Sequence, residues 1–298
     1  MRITKLHSDE ADIDLSLVRQ LLREQFPQWA DLELEPLRPQ GTDNAMFKLG
    51  DDKVVRLPRT PSSAANIAKE SEWLSRLSPL LPIAVPTPLG TGHPSAGYPF
   101  SWLVSSWIEG VTPDSEMSLD QHHAAIDLGS FVAAIRRISP MGAPQCNRGL
   151  PLQVRDAATR AAIFALSDAY DARELTTPWE TALAAPQWKG LPAWMHGDLH
   201  AGNVLAQNGR VTGVVDFGLA GVGDPACDLM VAWTLLTADT RALFRSIVQP
   251  DDATWARGRG WALHFGIVAY PYYRMSNPAL AAAAKRSLDE VLADRDFK

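Results

Sequence analysis

The amino-acid sequence predicts an α+β fold in which an antiparallel β-sheet region is followed by a longer, mostly helical region. Short β-type runs at 45–49, 53–57 and 98–108 alternate with turn signals in the first part of the chain. After Gly110 the apolar residues recur at helical spacing. The helical segments predicted there are 119–138, 154–170, 225–238, 240–248, 252–270 and 278–295. We therefore expect two lobes, residues 1–108 and 109–298.

In the first lobe each element has a local signal. Residues 12–26 place apolar side chains on one helical face, and Asp14 or Ser16 can cap the start of that helix. The turn Gly50-Asp51-Asp52 separates two short apolar runs and predicts a hairpin. A second helix is expected over 64–80, where a series of prolines ends it.

Composition and charge exclude several classes of protein. The chain is 46% hydrophobic with ten Trp, which a disordered chain would not carry. The net charge of -6 argues against nucleic-acid binding, which needs a basic patch. Two cysteines are too few for a disulfide scaffold and indicate a reducing compartment. Because the sequence shows neither a signal peptide nor a run of the ~20 apolar residues of a membrane helix, we expect a cytoplasmic protein. We further expect a monomer or weak dimer.

The most informative segment is a hairpin centred on Asn208-Gly209. An Asn-Gly pair between apolar runs favours a type I′ turn, in which both residues have positive φ. Counting outward from that turn, Asn203 should face Val214, and Asp216 should lie on the same side of the strand. An amide oxygen and a carboxylate at that separation of roughly 7–8 Å can share one cation. This register predicts a Mg²⁺ site.

Asp198 precedes Asn203 by five residues, and Asp216 opens an Asp-Phe-Gly triplet. This spacing is the protein-kinase pattern. The blocks H-G-D-x-H-x-x-N, V-V-D-F-G and G-D-P-A-x-D-L resemble the aminoglycoside phosphotransferase family and, more broadly, small-molecule kinases such as macrolide, choline and fructosamine kinases. The resemblance implies a protein-kinase-like two-lobe fold with a β-sheet nucleotide lobe and a helical substrate lobe. It also implies transfer of the γ-phosphate of ATP or GTP to a substrate hydroxyl.

Roles follow from the resemblance for five residues of the second lobe. Asp198 resembles the catalytic base, and Asn203 and Asp216 resemble the Mg²⁺ ligands. His196 is similar to the residue that fixes the catalytic loop from within, and Asp228 to a buried acid that hydrogen-bonds the loop. We interpret His196 and Asp228 as residues that shape the loop.

The nucleotide lobe departs from the family pattern at its phosphate-binding residue. The family carries a lysine on the third strand, paired with a helix Glu, and the matching position here is Arg56. Glu70 is the best match for the helix Glu, with Glu72 next. Arginine can clamp phosphate with two hydrogen bonds, although it does not replace lysine freely. Lys48 and Arg59 are the alternative basic residues.

Two further segments are expected to contact the nucleotide. The loop at 41–46 stands where a kinase has its glycine-rich loop, and Asn44 is its candidate phosphate contact. The segment containing Ser106 and Ile108 corresponds to the place where family members bind adenine through the backbone. The expected cofactors are therefore ATP or GTP and Mg²⁺.

The acceptor is a small-molecule hydroxyl compound, with antibiotics among the candidates. The segment 255–274 is dense in aromatic residues that either form core or wall a pocket: Trp255, Trp261, Phe265, Tyr270, Tyr272 and Tyr273. Aminoglycosides are polycations and need several carboxylates, whereas this lobe offers aromatic residues and few acidic clusters. The sequence therefore favours macrolides or other partly apolar molecules, in resistance or in metabolism.

Two alternatives remain open at this stage. His196, Asp198 and His200 form an H-x-D-x-H pattern that could bind Zn²⁺ or Fe²⁺ in a metal-dependent hydrolase. A non-catalytic nucleotide-binding protein on a kinase-like fold is the second alternative, and Arg56 is its only support.

Overall fold

The computed structural model describes residues 10–37, 41, 43–95, 97–113 and 119–294. These residues form two compact units. The first comprises the described residues within Met1–Pro79 and Ala84–Ile108, and the second comprises those within Leu80–Ile83 and Glu109–Lys298. The first unit contains a five-stranded sheet, whereas the second is mostly helical.

The first unit is an antiparallel sheet accompanied by α-helices. Its elements are α1 (Leu15–Gln25), β1 (Leu34–Pro36), β2 (Asn44–Leu49), β3 (Lys53–Pro58), α2 (Pro61–Leu77), β4 (Pro88–Gly92) and β5 (Trp102–Ser106). Short 3-10 turns follow the helices at Pro27–Trp29 and Ser78–Leu80. Among the described residues the strand order is β1-β2-β3-β5-β4, with antiparallel neighbours throughout.

The β2–β3 hairpin and helix α1 form as their sequences predict. Leu49 pairs with Lys53 across a turn in which Gly50 has φ of 58°. Asp14 caps α1 by accepting a hydrogen bond from the Leu17 N–H at 2.9 Å. The buried face of α1 joins the apolar core of the sheet. Each large aliphatic side chain buried there contributes about 1.5–3 kcal/mol.

The second unit is built around one long helix. Its elements are α3 (Gln121–Ile135), α4 (Asp156–Phe164), α5 (Ala172–Ala184), β6 (Ala193–Met195), β7 (Val204–Gln207), β8 (Arg210–Val214), β9 (Gly221–Gly223), α6 (Val231–Thr234), α7 (Ala238–Val248), α8 (Asp252–Tyr273) and α9 (Pro278–Ala293). Five 3-10 turns connect them, at Asn147–Gly149, Leu152–Arg155, Ala201–Asn203, Phe217–Leu219 and Pro225–Met230. Strand β6 pairs with β9, and β7 pairs with β8. Helix α8 is buried on nearly all sides, so it forms the centre of this unit.

Helix α5 is an element that the sequence did not indicate. Pro178 lies inside it and reads as a helix breaker in the sequence. The helix is nevertheless capped by Asp171, which accepts a hydrogen bond from the Arg173 N–H at 2.7 Å. Leu175, Pro178 and Trp179 are buried, and this tertiary packing outweighs the lost backbone hydrogen bond. The predicted helix at 225–238 is instead a 3-10 turn followed by the single turn α6.

The β7–β8 hairpin confirms the predicted turn but not the predicted register. Asn208 and Gly209 have φ of 53° and 78°, as a type I′ turn requires. A bulge at Thr212 then shifts the pairing, so that Val204 rather than Asn203 lies opposite Val214. The expectation that Asn203 faces Val214 is therefore wrong by one residue.

Within the described part of the chain, none of the helices combines the length and the apolar character that a membrane crossing requires.

Candidate active site

A fully buried carboxylate, Asp228, holds the loop that follows β6. Its two oxygens accept hydrogen bonds from the backbone N–H groups of His196 at 2.7 Å and Gly197 at 2.8 Å. Burial raises the pKa of Asp228, and the two N–H donors oppose that rise. Because one rigid side chain satisfies two consecutive backbone groups, the start of the loop has a fixed path.

Both ring nitrogens of His196 also form hydrogen bonds with nearby backbone groups. Its Nε2 lies 2.9 Å from the Val215 carbonyl oxygen, which can only accept, so Nε2 carries a hydrogen. Its Nδ1 accepts a hydrogen bond from the Asp198 N–H at 3.2 Å. The ring is buried and meets Phe217 edge-on with centroids 4.5 Å apart. Both ring nitrogens are therefore used within the protein, which leaves no lone pair for a metal.

Gly197 occupies a position that excludes any side chain. Its φ is 83°, and a Cβ atom there would lie 2.7 Å from the Leu219 carbonyl oxygen and 2.9 Å from the Cys146 Sγ. The Cys146 thiol donates to that same carbonyl at 3.1 Å, and the Cys227 thiol donates to the Gly197 carbonyl at 3.4 Å. Glycine at this position is thus required by the packing of the loop.

Replacing Gly197 with Ala should lower the free energy of unfolding by about 2–4 kcal/mol, because backbone strain and overpacking add. The matched control is Gly97→Ala. Gly97 has nearly the same φ of 82°, but no atom lies within 4 Å of its would-be Cβ. Urea unfolding gives the loss of stability of each variant. The loss in Gly97→Ala reports backbone strain alone, and the additional loss in Gly197→Ala reports the steric clash. Equal losses would contradict the packing account of Gly197.

Asp198 projects from this fixed loop into a partly exposed position. Its carboxylate lies 3.5 Å from the His200 Nε2, 3.4 Å from the Asn203 Nδ2 and 3.7 Å from an Arg148 Nη2. Burial acts to raise the pKa of Asp198, but His200 and Arg148 outweigh it and hold the pKa below its ordinary value of 3.8. The side chain is 23% exposed. Asp198 is therefore an ionised acceptor at neutral pH that an outside hydroxyl can reach.

Asn203 and Asp216 have distinct environments. The Asn203 Nδ2 donates to the Asp198 carbonyl at 2.9 Å, which leaves its Oδ1 as the candidate metal ligand. Asp216 is exposed and adopts φ of 66°, so the chain leaves the strand direction before this residue. The predicted arrangement, with Asn203 and Asp216 on one face of a regular ladder, is therefore wrong. The left-handed turn at Asp216, not strand alternation, sets the direction of its side chain.

The hydrolase alternative finds no support in the geometry. Among the described residues no group of three or more His, Cys, Asp or Glu side chains could hold a metal ion. His200 accepts from the Gly202 N–H through Nδ1 at 3.0 Å, and its ring stacks on Phe265 with centroids 4.9 Å apart. Like His196, His200 therefore shapes the loop.

The first unit contains the predicted basic–acidic pair. Arg56 on β3 and Glu70 on α2 form a two-fold hydrogen-bonded ion pair: Nη1 contacts Oε2, and Nη2 lies 3.1 Å from Oε1. Both side chains are buried, with 5% and 1% exposed. The alternative Glu72 is exposed, and its carboxylate lies 4.0 Å from Arg76. Arg59 pairs with Glu10 at 2.8 Å, so among the predicted basic residues Arg56 is the one joined to a helix Glu.

The two remaining nucleotide segments differ from expectation in detail. Asn44 is the first residue of β2, so it does not lie in a loop as predicted. The predicted loop at 41–46 is correspondingly shorter, and its Thr42 lies outside the described residues. The Ser106 N–H donates to the Thr87 carbonyl at 2.9 Å, and the Trp107 N–H donates to the Asp52 carbonyl at 2.8 Å. A base bound at this segment would therefore need other backbone groups, such as those of Ile108.

Three of the six aromatic residues of 255–274 lie in the core. Trp255, Trp261 and Phe265 are buried, whereas Tyr272 is 65% exposed. The Arg148 guanidinium lies 5.6 Å from the Trp261 ring centroid, and the Arg245 guanidinium lies 5.1 Å from that of Trp255. Sequence reasoning missed Arg148, which lies in a turn without any motif and 50 residues before Asp198.

His264 is a buried neutral histidine in the same unit. The Thr159 hydroxyl donates to the Arg155 carbonyl at 2.8 Å, so its contact of 2.8 Å with the His264 Nδ1 requires a hydrogen on Nδ1. Burial, followed by the charges of Arg148 and Arg155, lowers the pKa of His264 from 6.5 to about 3. The ring therefore stays neutral in the folded protein when it is already protonated in the unfolded chain.

This difference predicts a loss of stability in acid. Between pH 6.5 and 3 the unfolded chain binds one more proton at His264, so stability falls as the pH falls through that range. Between pH 7 and pH 5 the free energy of unfolding of the wild type should fall by about 2 kcal/mol because of this residue. The variant His264→Gln should not show that part of the loss. Urea unfolding at both pH values measures it, with the exposed His122→Gln as control. Identical losses in wild type and His264→Gln would contradict the assignment.

Comparison with known proteins identifies related sequences. The chain matches the model of the phosphotransferase enzyme family over residues 33–261. It is similar to an aminoglycoside 3'-phosphotransferase of Streptomyces fradiae, 30% identical over 195 residues that span 61% of this chain and 69% of that protein. It is also similar to the uncharacterized protein YcbJ of Bacillus subtilis (strain 168), 39% identical over 72 residues. That second match spans only 24% of either chain.

Solved structures share the fold over nearly the whole chain. The GDP complex of an aminoglycoside 2'-phosphotransferase-IIIa mutant has a TM-score of 0.73 at 19% identity and covers 94% of this chain and 98% of its own. A macrolide 2'-phosphotransferase from Brachybacterium faecium has a TM-score of 0.61 at 24% identity and covers 93% and 98%. These likenesses confirm the predicted α+β, protein-kinase-like fold class.

Proposed function

Because the chain belongs to the phosphotransferase enzyme family, we propose that it transfers the γ-phosphoryl group of ATP or GTP to a hydroxyl of a small molecule. The membership confirms the resemblance stated from the motif blocks and the class of enzyme. It favours neither the metal-dependent hydrolase nor the non-catalytic binding protein. The observation that carries the proposal is the loop at 196–203, which is locked by Asp228 and His196 and presents an ionised Asp198.

Asp198 is the catalytic base in this proposal. Its carboxylate accepts the proton of the acceptor hydroxyl while the hydroxyl oxygen bonds to the γ-phosphorus. The bond from that phosphorus to the bridging oxygen breaks, and the nucleoside diphosphate leaves. The Asn203 amide, bonded to the Asp198 carbonyl at 2.9 Å, keeps the carboxylate in position. The contribution of the loop is therefore mainly orientation.

The donor set fits Mg²⁺. Asn203 directs its amide nitrogen at the Asp198 carbonyl, so its oxygen is the atom available as a ligand, and Asp216 adds an exposed carboxylate. Mg²⁺ prefers one or two such protein oxygens together with phosphates and water. When bound, the ion would neutralise charge on the phosphates.

Arg56 supplies the phosphate contact on the first unit. Two hydrogen bonds to Glu70 fix the plane of its guanidinium, and a guanidinium is a group that clamps phosphate oxygens well. Asn44 and the backbone of Ile108 complete the proposed nucleotide contacts, whereas the Ser106 N–H already donates to the Thr87 carbonyl. Residues 1–108 are thus proposed as the nucleotide lobe and residues 109–298 as the substrate lobe. A cytoplasmic location belongs to the proposal, since reduced thiols and nucleoside triphosphates occur together there.

The test is a nucleotide-consumption screen on the purified chain with ATP and with GTP. Aminoglycosides and macrolides belong in the panel because similar proteins carry those names. Other antibiotics and amino alcohols complete it. We expect release of nucleoside diphosphate that depends on one acceptor class, together with an acceptor that gains one phosphate by mass spectrometry. Absence of any acceptor-dependent transfer would overturn the proposal.

Asp216→Ala should weaken the dependence on Mg²⁺ as well as turnover. Removal of the exposed carboxylate takes one of two protein ligands from the ion, so the Mg²⁺ concentration for half-maximal rate should rise by about tenfold or more. Titration of the rate with Mg²⁺ measures the shift. Asp239→Ala, which removes an acid from the first turn of α7, is the control. An unchanged Mg²⁺ dependence in Asp216→Ala would refute the ligand role.

A further inference from the structure

Two arginines and one indole ring form a cluster next to Asp198. The guanidinium carbons of Arg148 and Arg155 each lie 5.6 Å from the centroid of the Trp261 ring. An Arg148 Nη2 also lies 3.7 Å from the Asp198 Oδ1. We call Arg148, Arg155 and Trp261 the arginine–tryptophan cluster. All its members, like Asp198, belong to the second unit.

Arg148 has hydrogen-bonding capacity that the protein does not use. A guanidinium has five N–H donors, and among the described residues Arg148 makes an ion pair with Asp198 and a ring contact with Trp261 but no hydrogen bond. Arg155, by contrast, donates to the Asn147 carbonyl at 2.8 Å. The Arg148 side chain is 25% exposed, while Trp261 beneath it is 1% exposed. Arg148 is therefore a cation that packs on the Trp261 ring and that an outside molecule can contact.

The carboxylates around the cluster are already neutralised. Asp156, which follows Arg155 in the chain, pairs with Arg160 at 2.8 Å. Asp224 receives a hydrogen bond from Arg257 at 2.7 Å and another at 3.1 Å, and its own N–H donates to the Gly149 carbonyl. A polycationic acceptor would need unpaired carboxylates here, and it would meet Arg148 instead. The local charge therefore opposes an amine and attracts an anion.

We propose that the acceptor carries a carboxylate or phosphate group close to its reacting hydroxyl, and that Arg148 binds this anionic group. The inference rests on the proposed function, because Asp198 is taken as the base that the hydroxyl approaches. The anion of the acceptor provides Arg148 with hydrogen bonds that Asp198, at 3.7 Å, does not provide. Trp261 holds the guanidinium in place through its ring contact.

The test compares acceptors that share a skeleton and differ in charge. Gluconate, gluconamide and glucamine form one series, and mandelate, mandelamide and phenylethanolamine form another; glycerate and glycerol phosphate separate carboxylate from phosphate recognition. We expect the highest kcat/KM for an anionic member. Preference for an amine, or for a polycationic aminoglycoside, would overturn this inference and leave the proposed function in place. Absence of phosphoryl transfer to every compound, including those of the general screen, would overturn both.

Arg148→Gln should lower kcat/KM for the anionic acceptor by about 10- to 100-fold, mostly through KM, because a charge-assisted contact is lost. The loss should be much smaller for the matched amide, and Arg148→Lys should restore part of it. Arg137→Gln removes one exposed positive charge from the same unit and is the control. Equal losses for the anionic acceptor and its amide would show that Arg148 only positions Asp198, and would overturn the inference.

Discussion

Replacing Asp198 with Asn should lower kcat for phosphoryl transfer by about 10²- to 10⁴-fold while leaving nucleotide affinity nearly unchanged. The amide has the shape of the carboxylate, but it cannot take the proton of the acceptor hydroxyl. Its neighbours His200 and Asn203 contact it from within the loop, so the fold of the loop should survive. Steady-state kinetics give kcat, and titration calorimetry with Mg·ATP or Mg·GTP gives the affinity.

Asp127→Asn is the matched control, because Asp127 lies on α3 and pairs with Arg210 at 3.1 Å. It changes the same functional groups away from the catalytic loop and should keep near-normal kcat. Turnover close to wild type in Asp198→Asn would refute the base assignment. A loss of nucleotide affinity as large as the loss of kcat would instead show that the substitution disturbs the nucleotide site.

Glu70→Ala should lower the free energy of unfolding by about 3–5 kcal/mol and also abolish tight nucleotide binding. The Arg56 guanidinium would remain buried without the carboxylate that receives two of its hydrogen bonds. The double variant Arg56→Met/Glu70→Leu should recover most of the stability, because two apolar side chains can fill the same buried volume. It should still fail to bind nucleotide tightly, since the guanidinium proposed to contact the phosphates is gone. Urea unfolding and calorimetry measure the two effects separately.

Glu72→Ala provides the control for this series. Glu72 lies on the same helix but is exposed, so its replacement should change stability by no more than about 0.5 kcal/mol. If the double variant binds nucleotide as tightly as wild type, Arg56 has no part in phosphate recognition. Its ion pair with Glu70 would then be a purely structural contact.

The residues that sequence spacing located correctly are those whose relation is local or set by the motif blocks. Arg56 lies on the third strand, which belongs to a recognisable hairpin, and Glu70 lies on the next helix. To predict their pairing, it was enough to predict that strand and that helix correctly. The His196-Gly197-Asp198 block likewise predicts a shaped loop, and Asp228 reaches it through contacts of 2.7 and 2.8 Å. Such relations survive small errors in element boundaries.

Other features depend on tertiary contacts that no local pattern shows. The bulge at Thr212 coincides with a hydrogen bond of 2.6 Å from its hydroxyl to the Glu109 carbonyl, a residue 103 positions away. The bulge moves the register of β7 and β8 by one residue. Arg148 reaches Asp198 only because the turn Asn147–Gly149 packs near the catalytic loop: the Gly149 carbonyl accepts from Asp224, and the Cys146 thiol from the adjoining turn bonds to Leu219. The sequence around Arg148 carries no signal of that packing.

The two cysteine thiols beside Gly197 can be used to measure local opening of the catalytic loop. Both are buried, and burial raises the pKa of Cys227 well above its ordinary value, so neither should react with an alkylating reagent while the loop is closed. Reaction then requires a fluctuation that breaks the contact with the Leu219 or Gly197 carbonyl. The alkylation rate, followed by mass spectrometry, would measure the free energy of that fluctuation in the same way as amide hydrogen exchange. Slower alkylation with bound nucleotide or acceptor would reveal how strongly each ligand restrains the loop.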